Sequence, residues 1–263
     1  MGKTFEALMK AEKESQERLI HQGQGLTNQG LRTDDGGRDF EEYRRMKHNI
    51  LGINIGEKIK TLLFSSPTQG EGNSTVLTHF AMTLSSEGDR VLLVDANLRN
   101  PSFHRVFNLE IENGLIELFL KERTLKDVVK KAQFDNLFVI TSGNPSMMGS
   151  GQDVNDGRPS TGDPGRFNPS SIFGSKSLEG HIEEMKGEAD WVLFDSPPIN
   201  SFNDSIALGA KMDGVVMVVH AEKTRWEVAQ SAKQRMENGN GKILGVALNK
   251  RRFYIPGWLY RRL

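Results

Sequence analysis

The sequence of 263 residues contains no cysteine. This absence excludes a disulfide framework, a thiolate zinc site and a cysteine nucleophile. No run of about 18 consecutive apolar residues occurs either, so the chain is not expected to span a membrane. The segment Met1–Glu6 lacks the apolar core of a signal peptide, and Glu6 stands where N-myristoylation needs serine or threonine. We therefore expect a cytoplasmic protein that meets the membrane only through a partner.

An excess of charge of one sign is also missing, because 34 Lys and Arg residues balance 34 Asp and Glu residues. Without a basic excess, the chain is not expected to bind nucleic acid. The balance conceals an asymmetry, since Lys250–Leu263 carries five basic groups and no acid, whereas the rest carries 29 basic and 34 acidic groups, a net charge of −5. A basic tail of this kind fits an anionic membrane surface or the acidic face of a neighbouring protein.

Short apolar runs alternate with helical segments from Lys58 onward. This alternation predicts βαβ units, and hence an α/β fold with a doubly wound, mainly parallel sheet flanked by helices. The predicted strands cover residues 59–64, 91–94, 137–140, 191–194, 215–219 and 243–248. The predicted helices between them cover residues 74–86, 171–186, 203–210 and 225–237.

Polar segments divide the chain. Residues 1–39 are predicted to form an N-terminal extension, with a charged amphipathic helix over 4–20 and a polar linker from 21 to 39. A second helix, over about 40–51, opens the domain that we assign to residues 40–263. Within that domain, residues 149–168 have almost no apolar side chain and are predicted to be an insertion loop, and 250–263 form the basic aromatic tail.

A glycine-rich loop with the sequence SSPTQGEGNST follows the first predicted strand, over residues 65–75. Gly70 and Gly72 allow backbone N–H groups to approach phosphate oxygens, where the dipole of the next helix adds about half a positive charge. Ser74 occupies the position from which a hydroxyl reaches phosphate-bound Mg²⁺. The preceding position, ordinarily a lysine that contacts the β- and γ-phosphates, is Asn73. The loop therefore predicts nucleotide binding with weakened phosphoryl transfer; taken alone, it could also be a plain glycine-rich turn.

Two acidic residues, Asp95 and Asp195, each follow an apolar strand. In an open α/β sheet, ligands bind outside the carboxyl ends of the strands. Carboxylates at those ends hold Mg²⁺ directly or through its waters. Either acid alone is better explained as a helix cap or turn residue. Together with the loop, they predict a nucleotide and Mg²⁺ site whose metal ligands are Ser74, Asp95 and Asp195.

Three motifs carry a family resemblance: GEGNST at 70–75, LLVDANLRNPSFHRVF at 92–107 and DSPP at 195–198. In order and spacing they resemble bacterial tyrosine autokinases, the cytoplasmic P-loop kinases of capsule and exopolysaccharide loci. Partition and division-site ATPases of the same P-loop class are wider relatives. The resemblance, which runs from about Glu41 to Leu263, implies a P-loop NTPase fold that binds ATP or ADP with Mg²⁺.

The resemblance also implies roles for individual residues. It assigns catalysis to Asp95, Asn97 and Asp195, with Asn97 standing where the family has a second Asp that helps to activate the attacking hydroxyl. It assigns nucleotide contacts to Gly70, Glu71, Gly72, Asn73, Ser74, Thr75, Arg99 and Asn249. The phosphate acceptors would be the tail tyrosines Tyr254 and Tyr260, although the tail could equally be a docking segment for a membrane or a partner.

A charged helix resembles the family's Glu-x-x-Arg-x-x-Arg helix, which packs onto the neighbouring subunit of a ring. Its matching residues are Glu41, Arg44 and Lys47, of which Lys47 replaces an arginine and lacks the bidentate fork. The resemblance thus implies a homo-oligomer, although a solvated charged helix would have the same sequence. It also implies a membrane-spanning polysaccharide co-polymerase as partner, and hence a peripheral place at the inner membrane.

Three functions fit these observations. The first is an active tyrosine autokinase that regulates exopolysaccharide polymerisation or export. The second is a pseudokinase that senses nucleotide in the same pathway, because Asn73 and Asn97 both remove charge from the reacting centre. The third is a partition-type ATPase without tyrosine phosphorylation, against which the tail tyrosines and the charged helix argue.

Overall fold

A computed structural model describes residues 38–53, 59–144 and 172–250. Outside these ranges lie the predicted helix over 4–20, nearly all of the polar linker, the insertion loop at 149–168 and both tail tyrosines. Those predictions stay predictions. The chain divides into two units, Met1–Glu41 and Glu42–Leu263. The sheet and the phosphate loop belong to the second unit.

Helices and strands alternate as the sequence predicts. The strands are β1 (Thr61–Ser65), β2 (Val91–Asp95), β3 (Lys130–Lys131), β4 (Leu137–Ile140), β5 (Trp191–Asp195), β6 (Gly214–His220) and β7 (Ile243–Asn249). The helices are α1 (Arg38–Ile53), α2 (Asn73–Ser86), α3 (Phe103–Val106), α4 (Leu115–Phe119), α5 (Leu125–Val128), α6 (Lys176–Glu188), α7 (Asp204–Gly209) and α8 (Trp226–Asn238). In the described part of the chain, no helix has the length and apolar character needed to cross a bilayer.

The strands form one sheet in the order β3-β4-β2-β5-β1-β6-β7. All neighbours are parallel except β3 and β4, which are antiparallel. The predicted mainly parallel, doubly wound sheet is therefore confirmed. Its register pairs Asp95 at the end of β2 with Asp195 at the end of β5, and Phe64 of β1 also pairs with Asp195. The carboxyl ends of three central strands consequently meet at one place.

The central strands are apolar because both faces of the sheet are covered. Every residue of β1, β2 and β5 is buried, as expected for parallel strands between helices. Helix α2 contacts β1, β2 and β5, and its Phe80 packs on Phe64 and Trp191 with ring centroids 5.6 and 6.4 Å apart. Burial of one such ring stabilises the fold by about 1.5–3 kcal/mol. This packing fixes the helix that follows the phosphate loop.

Two parts of the fold differ from the sequence prediction. The helix predicted over 171–186 is interrupted, because Ile172 and Phe173 are helical but α6 begins only at Lys176, after Ser175 adopts an extended conformation (φ −77°, ψ 149°). The Ser175 hydroxyl donates to the carbonyl of Ile172 at 2.7 Å, which offers the backbone an alternative to the helix. The second difference is the connection from β2 to β4, where α3, α4, α5 and β3 are too short to produce a readable periodicity.

Candidate nucleotide site

The phosphate loop joins β1 to α2. Gly72 is the N-cap of α2 and has left-handed φ 89° and ψ 26°, and α2 has neither a side-chain cap nor an acid in its first turn. The N–H groups of that turn are therefore available to an anion. A Cβ on Gly72 would stand 2.2 Å from Nδ2 of Asn249, so only glycine fits there. Thr75 lies exposed in the same turn, and Gly70 is left-handed as well, with φ 82°.

The Glu71 side chain braces the loop from within. Glu71 is only 3% exposed, and its Oε1 accepts from the backbone N and the hydroxyl of Thr68 at 3.0 and 2.6 Å. Its Oε2 accepts from the backbone N of His220 at 3.0 Å. The carboxylate thus ties the loop to the end of β6, which leaves the backbone of Glu71, rather than its side chain, to meet a ligand.

Asn73 faces the protein interior. Its Nδ2 donates to the carbonyl of Phe64 at 2.9 Å and to Oδ1 of Asp195 at 2.6 Å, so both amide protons are used. Its Oδ1 is buried without a hydrogen-bond partner. The hydroxyl of Ser74 donates to the other oxygen of Asp195 at 2.5 Å. Loop and β5 are therefore joined through Asp195, and Asn73 contributes no charge to the loop.

Asp95 is fully buried beside this group. Its Oδ2 accepts from the backbone N atoms of Ser102 and Phe103, both at 2.9 Å, and so caps α3. Its Oδ1 is buried with no hydrogen-bond partner. An unpaired carboxylate oxygen at such a place is costly unless it holds a proton or a cation. Asp95 therefore has the coordination capacity that a metal ligand needs.

Burial changes the acidity of both carboxyl groups. It raises the pKa of Asp195 to about 8, with the charge of Asp95 as second cause, and it raises the pKa of Asp95 to about 6. The two acids thus hold excess protons near neutral pH until a cation compensates them. Among the described residues, no group of three or more His, Cys, Asp or Glu could hold a metal. The set fits Mg²⁺, which typically takes one or two carboxylates and completes its shell with water and phosphate oxygens.

This pair predicts that stability falls as pH rises. Both folded-state pKa values lie above the unfolded value of ~3.9, so the folded protein binds more protons than the unfolded chain from about pH 4 to about pH 8. The contribution is therefore present at low pH and lost as pH rises, with a slope of ~1.4 kcal/mol per pH unit for each excess proton. Urea unfolding without nucleotide or Mg²⁺ should show a steeper decline from pH 5.5 to 8 for the unmodified protein than for Asp195→Asn. Equal pH profiles for the two proteins would contradict the paired titration.

Two further predicted residues have structural partners. Nε of Arg99 donates to the buried Asp204 at 2.8 Å, and its guanidinium lies 4.1 Å from the ring centroid of Phe202. Oδ1 of Asn97 accepts from the backbone N of Asn100 at 3.3 Å, within the turn after β2. Arg99 and Asn97 thus follow the strand end that carries Asp95, but their side chains are directed to the turn and to α7 rather than to Asp95, Asp195 or the loop.

The charged face of α1 points to acids of its own chain. Lys47 donates to Glu87 at 2.6 Å and to Asp89 at 2.7 Å, and Arg44 donates to Glu87 at 3.0 Å. Glu41 precedes Arg44 by about one helical turn and lies in the first unit. The assignment of this helix to an oligomer interface stays a prediction, and any partner subunit would meet residues that already have intrachain partners.

The Lys47→Met variant is expected to lose about 1 kcal/mol of unfolding free energy, because it removes the cation that two acids share. The Lys47 side chain is 17% exposed, whereas that of Arg44, which pairs with Glu87, is 46% exposed. Arg44→Met should therefore cost less. Urea unfolding of both variants at low and high salt tests these expectations, since screening of the ion pairs by salt should reduce the loss of unfolding free energy. A larger loss in Arg44→Met would contradict this ranking.

The end of β7 also meets the loop. Asn249 Nδ2 donates to the carbonyl of Glu71 at 2.8 Å, and Lys250 Nζ donates to the carbonyl of Gly70 at 3.1 Å. The sequence predicts Asn249 here, but it does not single out Lys250 or Asp204. An acid at the start of a helix is the available signal for Asp204, and no local pattern indicates the position of Lys250, because its contact spans 180 residues.

Similar proteins of known sequence place this chain in a family. The sequence profile described as an AAA domain matches residues 59–231. Tyrosine-protein kinase YwqD of Bacillus subtilis is 31% identical over 217 residues, which cover 82% of this chain and 83% of the relative. The chain belongs to the bacterial tyrosine-protein kinase family. The family predicted from the three motifs is therefore confirmed.

Solved structures support the fold of this kinase-family chain. The kinase domain of Escherichia coli tyrosine kinase ETK has a TM-score of 0.70 at 21% identity and covers 82% of this chain and 78% of that one. The septum site-determining protein MinD of Pyrococcus horikoshii, complexed with Mg-ADP, has a TM-score of 0.55 at 19% identity, with coverages of 77% and 76%. At these identities, the likeness confirms the predicted P-loop NTPase fold.

Proposed function

We propose that this member of the bacterial tyrosine-protein kinase family binds ATP and ADP with Mg²⁺ at the phosphate loop. The observation that carries the proposal is the uncapped start of α2 beside two buried carboxyl groups. The N–H groups of that turn suit phosphate oxygens. Ser74, Asp95 and Asp195 would hold Mg²⁺, directly or through water. The metal would neutralise charge on the phosphates when bound.

The nucleotide site is proposed to serve regulation of exopolysaccharide polymerisation or export. In the family to which the chain belongs, the corresponding activity is autophosphorylation on tyrosine, and the acceptors would be Tyr254 and Tyr260. The helix with Glu41, Arg44 and Lys47 would contribute to a nucleotide-dependent homo-oligomer. A membrane-spanning polysaccharide co-polymerase would hold the protein at the inner membrane from the cytoplasmic side. The basic tail would meet either this partner or anionic lipid.

A second candidate function is a nucleotide sensor without phosphoryl transfer, and a specific contact favours it. Both amide protons of Asn73 are donated to Phe64 and Asp195, so Asn73 has no donor left for a γ-phosphate. Asn97 likewise cannot accept a proton from an attacking hydroxyl at neutral pH. In this candidate, ATP and ADP change the assembly state, and the tail remains unphosphorylated.

Calorimetry of ADP and ATP binding, with and without Mg²⁺, tests the shared part of the proposal. We expect binding of both nucleotides, Mg²⁺-dependent tightening, and a loss of that tightening in Asp195→Asn. Incubation with labelled ATP then separates the candidates, because label on Tyr254 or Tyr260 supports the kinase, and unlabelled protein that binds ATP supports the sensor. Absence of nucleotide binding by the unmodified protein would overturn both.

A further inference from the structure

The side chain of Lys250 lies along the rim of the phosphate loop. Its ammonium donates to the carbonyl of Gly70 at 3.1 Å. Its Cε stands 3.7 Å from the position that a Cβ on Gly72 would occupy. Asn249, the preceding residue, donates to the carbonyl of Glu71 at 2.8 Å. The last residue of β7 and the residue after it therefore bond to Glu71 and Gly70 of the loop and lie beside Gly72.

The backbone holds Lys250 in this place. Its φ is 57°, a left-handed value that lysine adopts rarely. Its N–H donates to Oδ1 of Asn249 at 2.8 Å, and the amide nitrogen of the same Asn249 bonds to the loop. Conformations of this kind persist where the surroundings fix them, and they cluster at ligand sites. The contact of Lys250 with the loop is thus fixed by local backbone geometry as well as by its side chain.

The loop needs a cation that its own sequence does not supply. Asn73 is neutral, and its amide is directed to Phe64 and Asp195. Arg99 is paired with the buried Asp204. Lys223 and Arg225 line a cavity of about 240 Å³ beside Thr68–Glu71 and are the competing sources of charge.

We propose that Lys250 supplies to the nucleotide's phosphates the positive charge that Asn73 does not. The inference rests on the proposed nucleotide site. One of the three N–H groups of the ammonium donates to the carbonyl of Gly70. The other two N–H groups can donate to phosphate oxygens. Charge-assisted bonds of this type are stronger than neutral ones. Lys250 is therefore a nucleotide-binding residue that contacts the loop in space although it lies 180 residues away from Gly70 in sequence.

ADP affinity, measured by calorimetry with Mg²⁺, tests this assignment. Lys250→Met is expected to bind ADP at least ~10-fold more weakly than the unmodified protein, whereas Lys250→Arg should keep most of the affinity. Lys242→Met is the matched control, because Lys242 is also an exposed lysine and lies just before the opposite end of β7. Thermal unfolding of each variant, without nucleotide, checks that the fold is retained.

A second comparison tests whether Lys250 acts through its charge or only by holding the loop in place. Asn73→Lys, introduced into Lys250→Met, should restore ADP affinity, since a loop lysine would replace the lost charge but not the bond to Gly70. The proposal is overturned if Lys250→Met binds ADP within twofold of the unmodified protein, if the double variant stays weak, or if Lys223→Met or Arg225→Met causes the loss in place of Lys250→Met. In each of these cases the unmodified protein still binds ADP, and only this inference fails. Absence of binding by the unmodified protein would overturn the proposed function as well.

Discussion

Asn73→Lys is expected to raise the rate of phosphoryl transfer by ~10²–10³, the effect of one preorganised donor on a transition state. A lysine at this position carries the charge that the loop lacks, and it can reach the β- and γ-phosphates. It would also stand near Asp195, which now accepts from the Asn73 amide at 2.6 Å, and would favour the ionised form of that carboxyl. Labelled ATP, Mg²⁺ and mapping of Tyr254 and Tyr260 by mass spectrometry give the readout.

The matched control for this gain is Asn73→Gln. Glutamine is one methylene longer than asparagine but remains neutral. The variant therefore shows whether a longer side chain without charge is enough to raise the rate. We expect no gain in Asn73→Gln. Equal rates for the unmodified protein and Asn73→Lys would contradict the view that Asn73 limits transfer, and would direct attention to Asn97 instead.

Gly72→Ala is expected to lower ADP affinity at least ~10-fold and to cost about 2–3 kcal/mol of stability. Two causes add. The residue has φ 89°, which disfavours any side chain, and its Cβ would stand 2.2 Å from Nδ2 of Asn249. Asn249 must then move, and its bond to the carbonyl of Glu71 is lost. Calorimetry of ADP binding and urea unfolding measure the two losses.

Gly70 provides a control for the strain alone. Its φ is 82°, but a Cβ there would have no atom within 4 Å. Gly70→Ala should therefore incur the backbone cost of about 1–2 kcal/mol without the clash. Asn249→Ala in the Gly72→Ala background should recover part of the difference, because it removes the clashing amide. Equal losses in Gly70→Ala and Gly72→Ala would contradict the role assigned to the clash.

Much of the fold could be predicted because its strands are apolar and end in acids. Asp95 and Asp195 mark the ends of β2 and β5, and the sheet register places them side by side. The loop at 65–75 has a local signature, since glycine positions, a hydroxyl and a following helix occur within eleven residues. Local patterns of this kind predict structure well because they depend on the backbone geometry of neighbouring residues and not on distant contacts.

The parts that could not be predicted depend on distant contacts. Nothing near Lys250 in sequence indicates that its ammonium meets Gly70, and nothing near Arg99 indicates that Asp204 binds it. The place of Asn73 in the motif predicts an amide that faces a ligand, yet this amide donates to Asp195, a partner 122 residues away. The resemblance to a family transfers positions along the chain, whereas the direction of a side chain is decided by neighbours that only the fold supplies.

The strand order has a consequence for how the protein is made. Because β5 lies between β1 and β2, a nascent chain that has emerged only as far as β2 has the loop and Asp95 but lacks its central strand. Asp195, which holds both Asn73 and Ser74, arrives a hundred residues after Asp95, and contacts at such separation form late. The proposed nucleotide site is therefore incomplete on the nascent chain until β5 has left the ribosome and entered the sheet.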